Sequence, residues 1–431
     1  MTFKSVKNLA IFNLTLSKCG LPCNNSSNNN IVPNMEDHMT TIAPALYLLN
    51  CSYVNLSHLS ILNDHGTRLG AALLNIAGNV SITDCLFEAG GGGLYVTTNF
   101  TKNVQEDHVT DQHDNDFKTH PGTALMTITR CNFTNNKNSQ GSGGGLATII
   151  SGMNGHYSVR ISDCYFVNNT AAVSGGGLFI KFKLDSSNNS VVIENCTFIQ
   201  NKCHYGGGGA CAGFNVESHI SVSNVISFSH CLFQDNTAFG NGGGLSLYSH
   251  KGMGFALMKN WFHLENCQWM HNNAFVASAL DVAPAYRSHL DAGSLPYIII
   301  DNCSFDSNVC NNRSESNSSD KHFTVSINGL ATVLISGFRV KFKQWVIFRH
   351  NYGTGLHLSL ASVNISEGSC LYFEGNTGKH GGGITMVAFS QLTIHNNCKL
   401  MFINNTSLTR GGAFNVQFVD YQHEAYFSSS W

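Results

Sequence analysis

The chain has 431 residues and a formal net charge of −2 at pH 7. Hydrophobic residues make up 42% of it, enough for a continuous core, whereas charged residues make up only 12%, about half the usual share. This balance provides neither a basic surface nor an acidic tail, so we expect no nucleic-acid partner. No apolar run reaches the roughly 18 residues of a membrane-spanning helix, so we also predict no transmembrane segment in this chain.

A short pattern recurs from the N-terminus onward. It consists of an aliphatic residue, a Cys, an aromatic residue two places later, an Asn three places after that, and a glycine-rich stretch. Ile11 to Cys19 resembles a first copy, and Cys51 is interpreted as the head of another degraded copy. Because fixed repeats of this length mark stacked solenoids, the pattern predicts one elongated domain over residues 1–431.

The clear copies follow, and each is headed by a Cys. These residues are Cys85, Cys131, Cys164, Cys196, Cys231, Cys267, Cys303, Cys370 and Cys398. The copy at Phe348–Asn351 lacks the Cys but keeps the rest of the pattern. The glycine element is still present at Gly411–Phe414, and we see no atypical end cap of the kind that closes a solenoid. We therefore predict that the chain is part of a longer protein.

One copy shows how a coil should be built. Val191–Ile193 is a β-branched strand, and Asn195 follows it at a bend. Cys196 and Phe198 are two residues apart, so both side chains should point inward from the next strand. Gly206–Gly209 should turn the chain into a third strand. Eleven or twelve such coils, stacked at about 4.8 Å, would form a rod on the order of 55 Å long.

Three polar stretches interrupt the repeat, at residues 21–39, 101–121 and 311–322. We predict that they are surface loops inserted into the solenoid. The second contains His108, His113 and His120 together with several Asp residues. A solvated acidic loop is favoured there over a metal site, so no metal ligand is predicted.

The repeat resembles that of the chlamydial polymorphic outer-membrane proteins, in which Phe-x-x-Asn is followed by a glycine pair. Phe166–Asn169 with Gly175–Leu178 carries this resemblance, and so does Phe402–Asn405 with Gly411–Phe414. The chain also resembles glycine-rich β-helix surface proteins of simple animals, which place a Cys ahead of the Phe. The resemblance implies an all-β, right-handed parallel β-helix of the pectin-lyase-like type. It further implies a secreted or cell-surface setting and no shared catalytic site.

The cysteines favour a buried column of free thiols that act as small hydrophobic side chains. Disulfides between neighbouring coils are the alternative, because the coil spacing lies in the allowed range, although stacked side chains point in parallel. Cys203 and Cys211 lie off the column and are the better candidates for a disulfide. The absence of C-x-x-C pairs argues against zinc.

The asparagines that end each Phe-x-x-Asn should hydrogen-bond from coil to coil. They are Asn136, Asn169, Asn201, Asn236, Asn272, Asn308, Asn351, Asn376 and Asn405. The glycine triplets do not indicate a phosphate loop, because that motif occurs once and leads into a helix. No cofactor-binding residue is therefore predicted.

A catalytic groove on a β-helix would need carboxylates on adjacent coils. We take the outward position after each glycine turn as the candidate row. It runs Tyr95, Ala147, Phe179, Cys211, Ser246, Asp281, His357, Thr385 and Phe414. Asp281 is its only acid, so no catalytic residue is predicted and a non-enzymatic protein is favoured. A polysaccharide lyase or glycoside hydrolase that acts in the groove is the alternative.

These features predict an extracellular or cell-surface protein with a structural, adhesive or recognition role. The expected partner is an extracellular polysaccharide or a surface protein. Asn-x-Ser/Thr sequences are more frequent than composition alone would produce, and those at Asn188, Asn312 and Asn317 are the better candidates for glycosylation. No signal peptide is recognised at the N-terminus. A cytosolic protein with reduced thiols is the competing hypothesis.

Overall fold

The chain is built from stacked parallel strands. The computed structural model describes residues 1–17, 44–51, 53–62, 72–76, 78–88, 90–100, 123–152, 156–183, 189–216, 223–251, 260–284, 295–310, 331–388 and 390–417. Within these residues there is no helix, and every strand pair is parallel. The predicted loops at 21–39, 101–121 and 311–322 lie outside the described residues, as do Cys19 and the His-rich segment.

Three long sheets form the walls. Sheet A contains Thr2–Lys4, Leu46–Cys51, Ala72–Ile76, Leu94–Phe100, Leu146–Gly152, Leu178–Lys183, Ala210–Val216, Leu245–Lys251, Ala277–Pro284, Ala331–Ser336, Thr354–Ser359, Ile384–Val387 and Phe414–Gln417. Sheet B contains Leu9–Phe12, Val54–Ser57, Val80–Thr83, Thr123–Thr129, His156–Ser162, Ser190–Glu194, Val225–Ser229, Trp261–Glu265, Tyr297–Asp301, Arg339–Lys343, Ser362–Ile365 and Gln391–Ile394. Sheet C contains Thr15–Ser17, Ser60–Leu62, Leu86–Glu88, Asn132–Thr134, Tyr165–Val167, Thr197–Ile199, Leu232–Gln234, Gln268–Met270, Ser304–Asp306, Trp345–Arg349, Cys370–Glu374 and Lys399–Ile403.

A short fourth sheet was not predicted. Sheet D follows sheet C in the central coils and contains Lys137–Asn138, Thr170–Ala171, Lys202–Cys203, Thr237–Ala238, Asn273–Ala274 and Val309–Cys310. The longer strands Thr377–His380 and Thr406–Arg410 pair with each other near the C-terminal end. Strands this short have too little alternation to be recognised in a sequence.

The strands follow one another in the order A, B, C along the chain, and each pairs with its counterpart one coil away. The described residues therefore form a right-handed parallel β-helix of twelve coils, with a thirteenth strand in sheet A. This confirms the predicted fold class. Asn195 has a φ of 50° at the bend between sheets B and C, where the sequence pattern placed it.

A stack of aromatic rings runs through the core beneath sheet C. It consists of Phe87, Phe133, Phe166, Phe198, Phe233, Trp269, Phe305, Phe348, Phe373 and Phe402. The centroids of Phe166 and Phe198 are 4.8 Å apart, with 6° between the ring planes. Ring separation thus equals the strand spacing of about 4.8 Å. Stacked rings and paired strands therefore enforce the same coil spacing.

The predicted thiol column is confirmed over its central part. Cys85, Cys131, Cys164, Cys196, Cys231, Cys267 and Cys303 are buried and free, and they occupy the same position in successive coils. The thiol of Cys196 donates to the carbonyl oxygens of Glu194 at 3.2 Å and Ile161 at 3.6 Å. Hydrogen bonding within the column and burial raise the pKa of Cys131 to about 12. Such a thiol is neutral and lacks the thiolate on which reactivity depends.

The column does not include every Cys assigned to it from the sequence. Cys51 ends a strand of sheet A, and Leu59 fills the column in that coil. Beyond Cys303 the column continues with Val346, because Ser304 pairs with Ile347. Cys370 pairs with Trp345, one place before the column. In the next coil Cys370 pairs with Lys399, and Cys398 lies one place before Lys399. The assignment of Cys51, Cys370 and Cys398 to the column was therefore wrong. The column position therefore requires an apolar side chain of suitable size, and a thiol is one of several that fit.

Cys203 and Cys211 do not form the disulfide that was suggested for them. Both are free and buried in the structure, with Cys203 in sheet D and Cys211 in sheet A. Cys203 packs in a small cluster with Ala171, Ala238 and Ala274. Burial raises its pKa to about 12. Its role is that of a small apolar residue in the turn that joins sheets C and A.

The predicted asparagine ladder is confirmed at all nine positions, from Asn136 to Asn405. Asn201 shows its geometry. Its Oδ1 accepts from the main-chain nitrogen and from Nδ2 of Asn169, both at 3.0 Å. Its Nδ2 donates to the carbonyl of Phe166 at 2.8 Å and to Oδ1 of Asn236 at 3.0 Å. The buried turn after sheet C is therefore fully hydrogen-bonded.

A second asparagine ladder was missed. Nδ2 of Asn189 donates to Oδ1 of Asn224 at 2.9 Å, and Nδ2 of Asn224 donates to Oδ1 of Asn260 at 3.2 Å. All three are buried just before strands of sheet B. The segments that precede them vary in length, so these positions do not stand out as a repeat.

We expect Asn201→Ala to lower the free energy of unfolding by about 1–3 kcal/mol. The change leaves the buried main-chain N–H of Asn169 and the carbonyl of Phe166 without their side-chain partners, and unsatisfied buried groups carry that cost. Thermal melts followed by circular dichroism measure the change. Asn132→Ala is the matched control, because Asn132 is exposed on sheet C, and its effect should stay within about 0.5 kcal/mol. Equal melting of the two variants would contradict a stabilising ladder.

Candidate ligand-binding face

The row predicted to line a groove lies on the outer side of sheet A. Its members in register are Tyr95, Ala147, Phe179, Cys211, Ser246, Asp281, Leu334, His357, Thr385 and Asn415. Leu334 was missing from the prediction. The last member is Asn415 and not Phe414, because Phe414 pairs with Ile384 on the core side. Leu334 was missed because no glycine turn precedes it in the described residues, and Phe414 was chosen one residue too early in its motif.

This row is covered by the glycine turns and forms no open groove where it is described. Gly207 has a φ of 72°, and a Cβ there would lie 2.8 Å from Cβ of Cys211. A Cβ on Gly242 would lie 3.0 Å from Cβ of Ser246. Only glycine permits this conformation and this approach, so each turn packs directly on the side chain four residues later. Cys211 and Ser246 are buried as a result.

Asp281 is buried in this row with 4% of its surface exposed. Its Oδ2 accepts from Oγ of Ser246 at 3.4 Å, and its Oδ1 has no partner among the described residues. Desolvation raises the pKa of Asp281 to about 7. Asp281 is therefore a buried structural position, covered from solvent, and not an accessible catalytic acid.

Aromatic, basic and acidic side chains lie together instead on the outer side of sheet B. The strands Trp261–Glu265, Tyr297–Asp301 and Arg339–Lys343 pair in register and alternate core and outward residues. Their outward side chains form an array that we call the B face: Trp261, His263, Glu265, Tyr297, Ile299, Asp301, Arg339, Lys341 and Lys343. The array places aromatic, basic and acidic groups on one rigid surface.

The aromatic edge of the B face is formed by Trp261 and Tyr297, which pair directly and are half-buried. The ring centroids of Trp261 and His263 are 6.3 Å apart, with 32° between the planes. Burial raises the pKa of Tyr297, and the positive charge of Arg339 partly offsets this effect. The two aromatic side chains are therefore partly exposed, and Tyr297 lies near a guanidinium group.

The opposite edge of the B face is charged. Asp301 is buried, and its Oδ2 lies 3.9 Å from Nζ of Lys343. Glu265 pairs in register with Asp301 on the neighbouring strand. Lys341 lies between Arg339 and Lys343 and forms no ion pair with any residue that the structure describes. The B face thus carries one lysine charge that the described surface does not neutralise.

The B face was not predicted, because only the row after the glycine turns was considered as a candidate groove. The segments Trp261–Glu265, Tyr297–Asp301 and Arg339–Lys343 each alternate apolar and functional residues with a period of two. That alternation predicts which side chains point outward. It does not predict that the three segments lie side by side, since loops of different length precede them.

Within the described ranges, no group of three or more His, Cys, Asp and Glu residues is arranged to hold a metal ion. No helix among the described residues is long and apolar enough to cross a membrane. The B face offers side-chain chemistry from aromatic, ammonium, guanidinium and carboxylate groups.

Comparison with known proteins supports the architecture. Residues 163–181 match the family model of the Chlamydia polymorphic membrane protein repeat. No curated protein and no solved structure matches the chain. The matched segment spans Asp163, the strand Tyr165–Val167, the glycine turn and the start of the next strand of sheet A, so it covers part of one coil. The chain is accordingly a parallel β-helix repeat protein, and one segment of it is similar to the Chlamydia polymorphic membrane protein repeat.

Proposed function

We propose that this chain is a non-enzymatic recognition rod that works at the cell surface or outside the cell. The match of residues 163–181 to the Chlamydia polymorphic membrane protein repeat supports the surface setting. The B face is the single observation that carries the recognition role. Its aromatic and charged side chains lie on the outer side of sheet B, apart from the apolar core cluster beneath it.

The fold holds the B face rigidly. The core residues Phe262, Ile298 and Val340 lie beneath it and are almost fully buried. Neighbouring strands are hydrogen-bonded to each other, so the outward side chains keep a spacing of about 4.8 Å. Binding sites on strands are held more precisely than sites on loops. A solenoid also offers an extended surface along which a long ligand can lie.

A second candidate function is a polysaccharide-active enzyme, and one observation favours it. Glu265 and Asp301 are in register on adjacent strands, about 4.8 Å apart at the main chain. Retaining glycosidases hold two carboxyl groups at about 5–5.5 Å. The position of Asp301 argues against catalysis, because it is buried and paired with Lys343.

A turnover assay separates the two functions. We expect no depolymerisation of pectin, alginate or chondroitin by the full chain. Turnover that is abolished by Glu265→Gln, Asp301→Asn or Asp281→Asn would contradict the non-enzymatic function. Turnover that co-purifies with the chain and survives all three changes would place catalysis at another site and would also contradict the proposal.

The surface setting is tested on native material by mass spectrometry. We expect glycans at Asn188, Asn312 and Asn317, three sequons that lie outside the described residues. If the protein were recovered from the cytosol with all three sites unmodified, the extracellular assignment would be wrong. The free thiols of the column would then be in the reduced state that the cytosol maintains.

A further inference from the structure

We propose that the side chains of Ser246 and Asn241 join spontaneously in an ester cross-link, with loss of ammonia and with Asp281 as the proton carrier. The link ties a glycine turn to the strand of sheet A that follows it. It does not depend on the recognition role proposed above, because it concerns only the covered row on the outer side of sheet A. The placement of the three side chains, their burial and the packing of the turn support it.

A hydroxyl group, a carboxamide and a carboxyl group meet in this row. Oγ of Ser246 donates to Oδ2 of Asp281 at 3.4 Å, across two paired strands. Burial raises the pKa of Asp281, and the side chains of Asn241 and Ser246 act on it in the opposite direction by hydrogen bonding. The carboxyl group of Asp281 is therefore next to both the hydroxyl group and the carboxamide.

The glycine turn holds Asn241 against Ser246. Gly242 packs so closely that a Cβ there would lie 3.0 Å from Cβ of Ser246. A Cβ on Gly206, in the preceding coil, would lie 3.2 Å from Oγ of Ser246 and 3.4 Å from the main-chain oxygen of Asn241. The carbonyl of Asn241 also accepts from the main-chain nitrogen of Gly207 at 3.1 Å. Reacting groups that are held together in this way gain a large rate advantage over free ones.

The reaction balances without an oxidant, a reductant or a cofactor. The carboxylate of Asp281 takes the proton of Ser246 as Oγ attacks Cγ of Asn241 and the new C–O bond forms. Asp281 then returns the proton to Nδ2 of Asn241, the C–N bond breaks, and ammonia leaves. Burial raises the pKa of Asp281 to about 7, so both protonation states are populated near neutral pH, as a group that accepts and returns a proton requires.

Burial also protects the product. Ser246 and Asp281 are each 4% exposed beneath the glycine turn. A site from which water is excluded prevents hydrolysis of a bond that water would otherwise attack. An ester formed there should therefore persist in the folded protein.

The preceding coil lacks both reacting groups. Gly206 pairs with Asn241 and occupies its place in that turn, and Cys211 pairs with Ser246 in the covered row. That coil has the same turn and the same burial but neither the carboxamide nor the hydroxyl group. It therefore cannot form the same link.

The test is mass spectrometry of the folded full chain. Trypsin cuts after Lys202 and Lys251, so both residues are released in one peptide. We expect this peptide to be lighter than its sequence by one ammonia molecule. Tandem spectra should lack fragments from cleavage between Asn241 and Ser246, because the cross-link keeps the two ends joined.

Two variants assign the roles of the reacting groups. Ser246→Ala should restore the full peptide mass, and it should fold because Ala147 occupies the same row beneath another glycine turn. Asp281→Asn should slow the loss of ammonia at least about a hundredfold, the lower range for removal of a general acid–base group. The matched control is Ser174→Ala, which removes a buried hydroxyl group from the turn two coils earlier and should link like the parent. Circular dichroism melts verify that all variants fold.

A competing reaction gives the same mass. Gly242 follows Asn241, and attack by its main-chain nitrogen on Cγ of Asn241 would also release ammonia and form a succinimide. That product needs neither Ser246 nor Asp281, so ammonia loss that persists in Ser246→Ala would overturn the ester. A parent peptide of full mass would overturn it as well, and linkage of Asp281→Asn at the parent rate would contradict the role of Asp281.

Discussion

Cys196→Asp should destabilise the solenoid by at least about 3–5 kcal/mol and abolish its native melting transition, because a buried, unpaired charge carries a cost of that size. Cys196 is 1% exposed, and its thiol donates to the carbonyl oxygens of Glu194 and Ile161. A carboxylate at this position would be buried without a counter-ion and would face two acceptors. Because each coil contacts only its neighbours, the central break should disrupt the coils on both sides.

Cys196→Val is the matched control. The same column already contains Val346 and Leu59, so an apolar side chain of similar volume fits there without a thiol. We expect the Val variant to melt within a few degrees of the parent. Circular dichroism melts of both variants measure the difference. If the Asp variant melted like the parent, the inward position of Cys196 would be wrong.

Asp281→Asn should stabilise the protein at neutral and alkaline pH. Burial raises the pKa of Asp281 from the ordinary 3.8 to about 7 in the folded state. A tenfold change in an acid dissociation constant corresponds to about 1.4 kcal/mol, so a rise of roughly three in pKa sets an upper bound of about 4 kcal/mol on the gain. Asn removes the ionisable group but keeps an oxygen that can accept from Oγ of Ser246.

The sign of the pH dependence follows from proton binding. Between about pH 4 and pH 7 the folded protein holds the Asp281 proton while the unfolded chain releases it, so the stability of the parent falls as pH rises. Urea unfolding between pH 4 and pH 8 should show that fall in the parent and a smaller one in Asp281→Asn. Asp163→Asn is the control, since Asp163 is exposed at a bend, and it should follow the parent. Parallel pH profiles for all three proteins would show that Asp281 is not desolvated.

The amino-acid sequence alone determined the fold class and the inner residues. Cys196 and Phe198 were predicted to point inward from their two-residue spacing, and Asn201 from its place in the repeat. Their burial and hydrogen bonds confirm this. Such predictions succeed because alternation along a strand is local, and because each coil presents the same pattern to the next.

The register between coils was decided only by the tertiary structure. Leu371 and not Cys370 pairs with Val346 of the thiol column, and Asn415 and not Phe414 pairs with Thr385. The glycine turns bury Cys211 and Ser246, which an outward-pointing position alone would leave exposed. The B face arises in the same way, since Trp261, Tyr297 and Arg339 are far apart in the chain and meet only through strand pairing. Spacing within a repeat is a property of the sequence, whereas contact between repeats depends on how the intervening chain closes each coil.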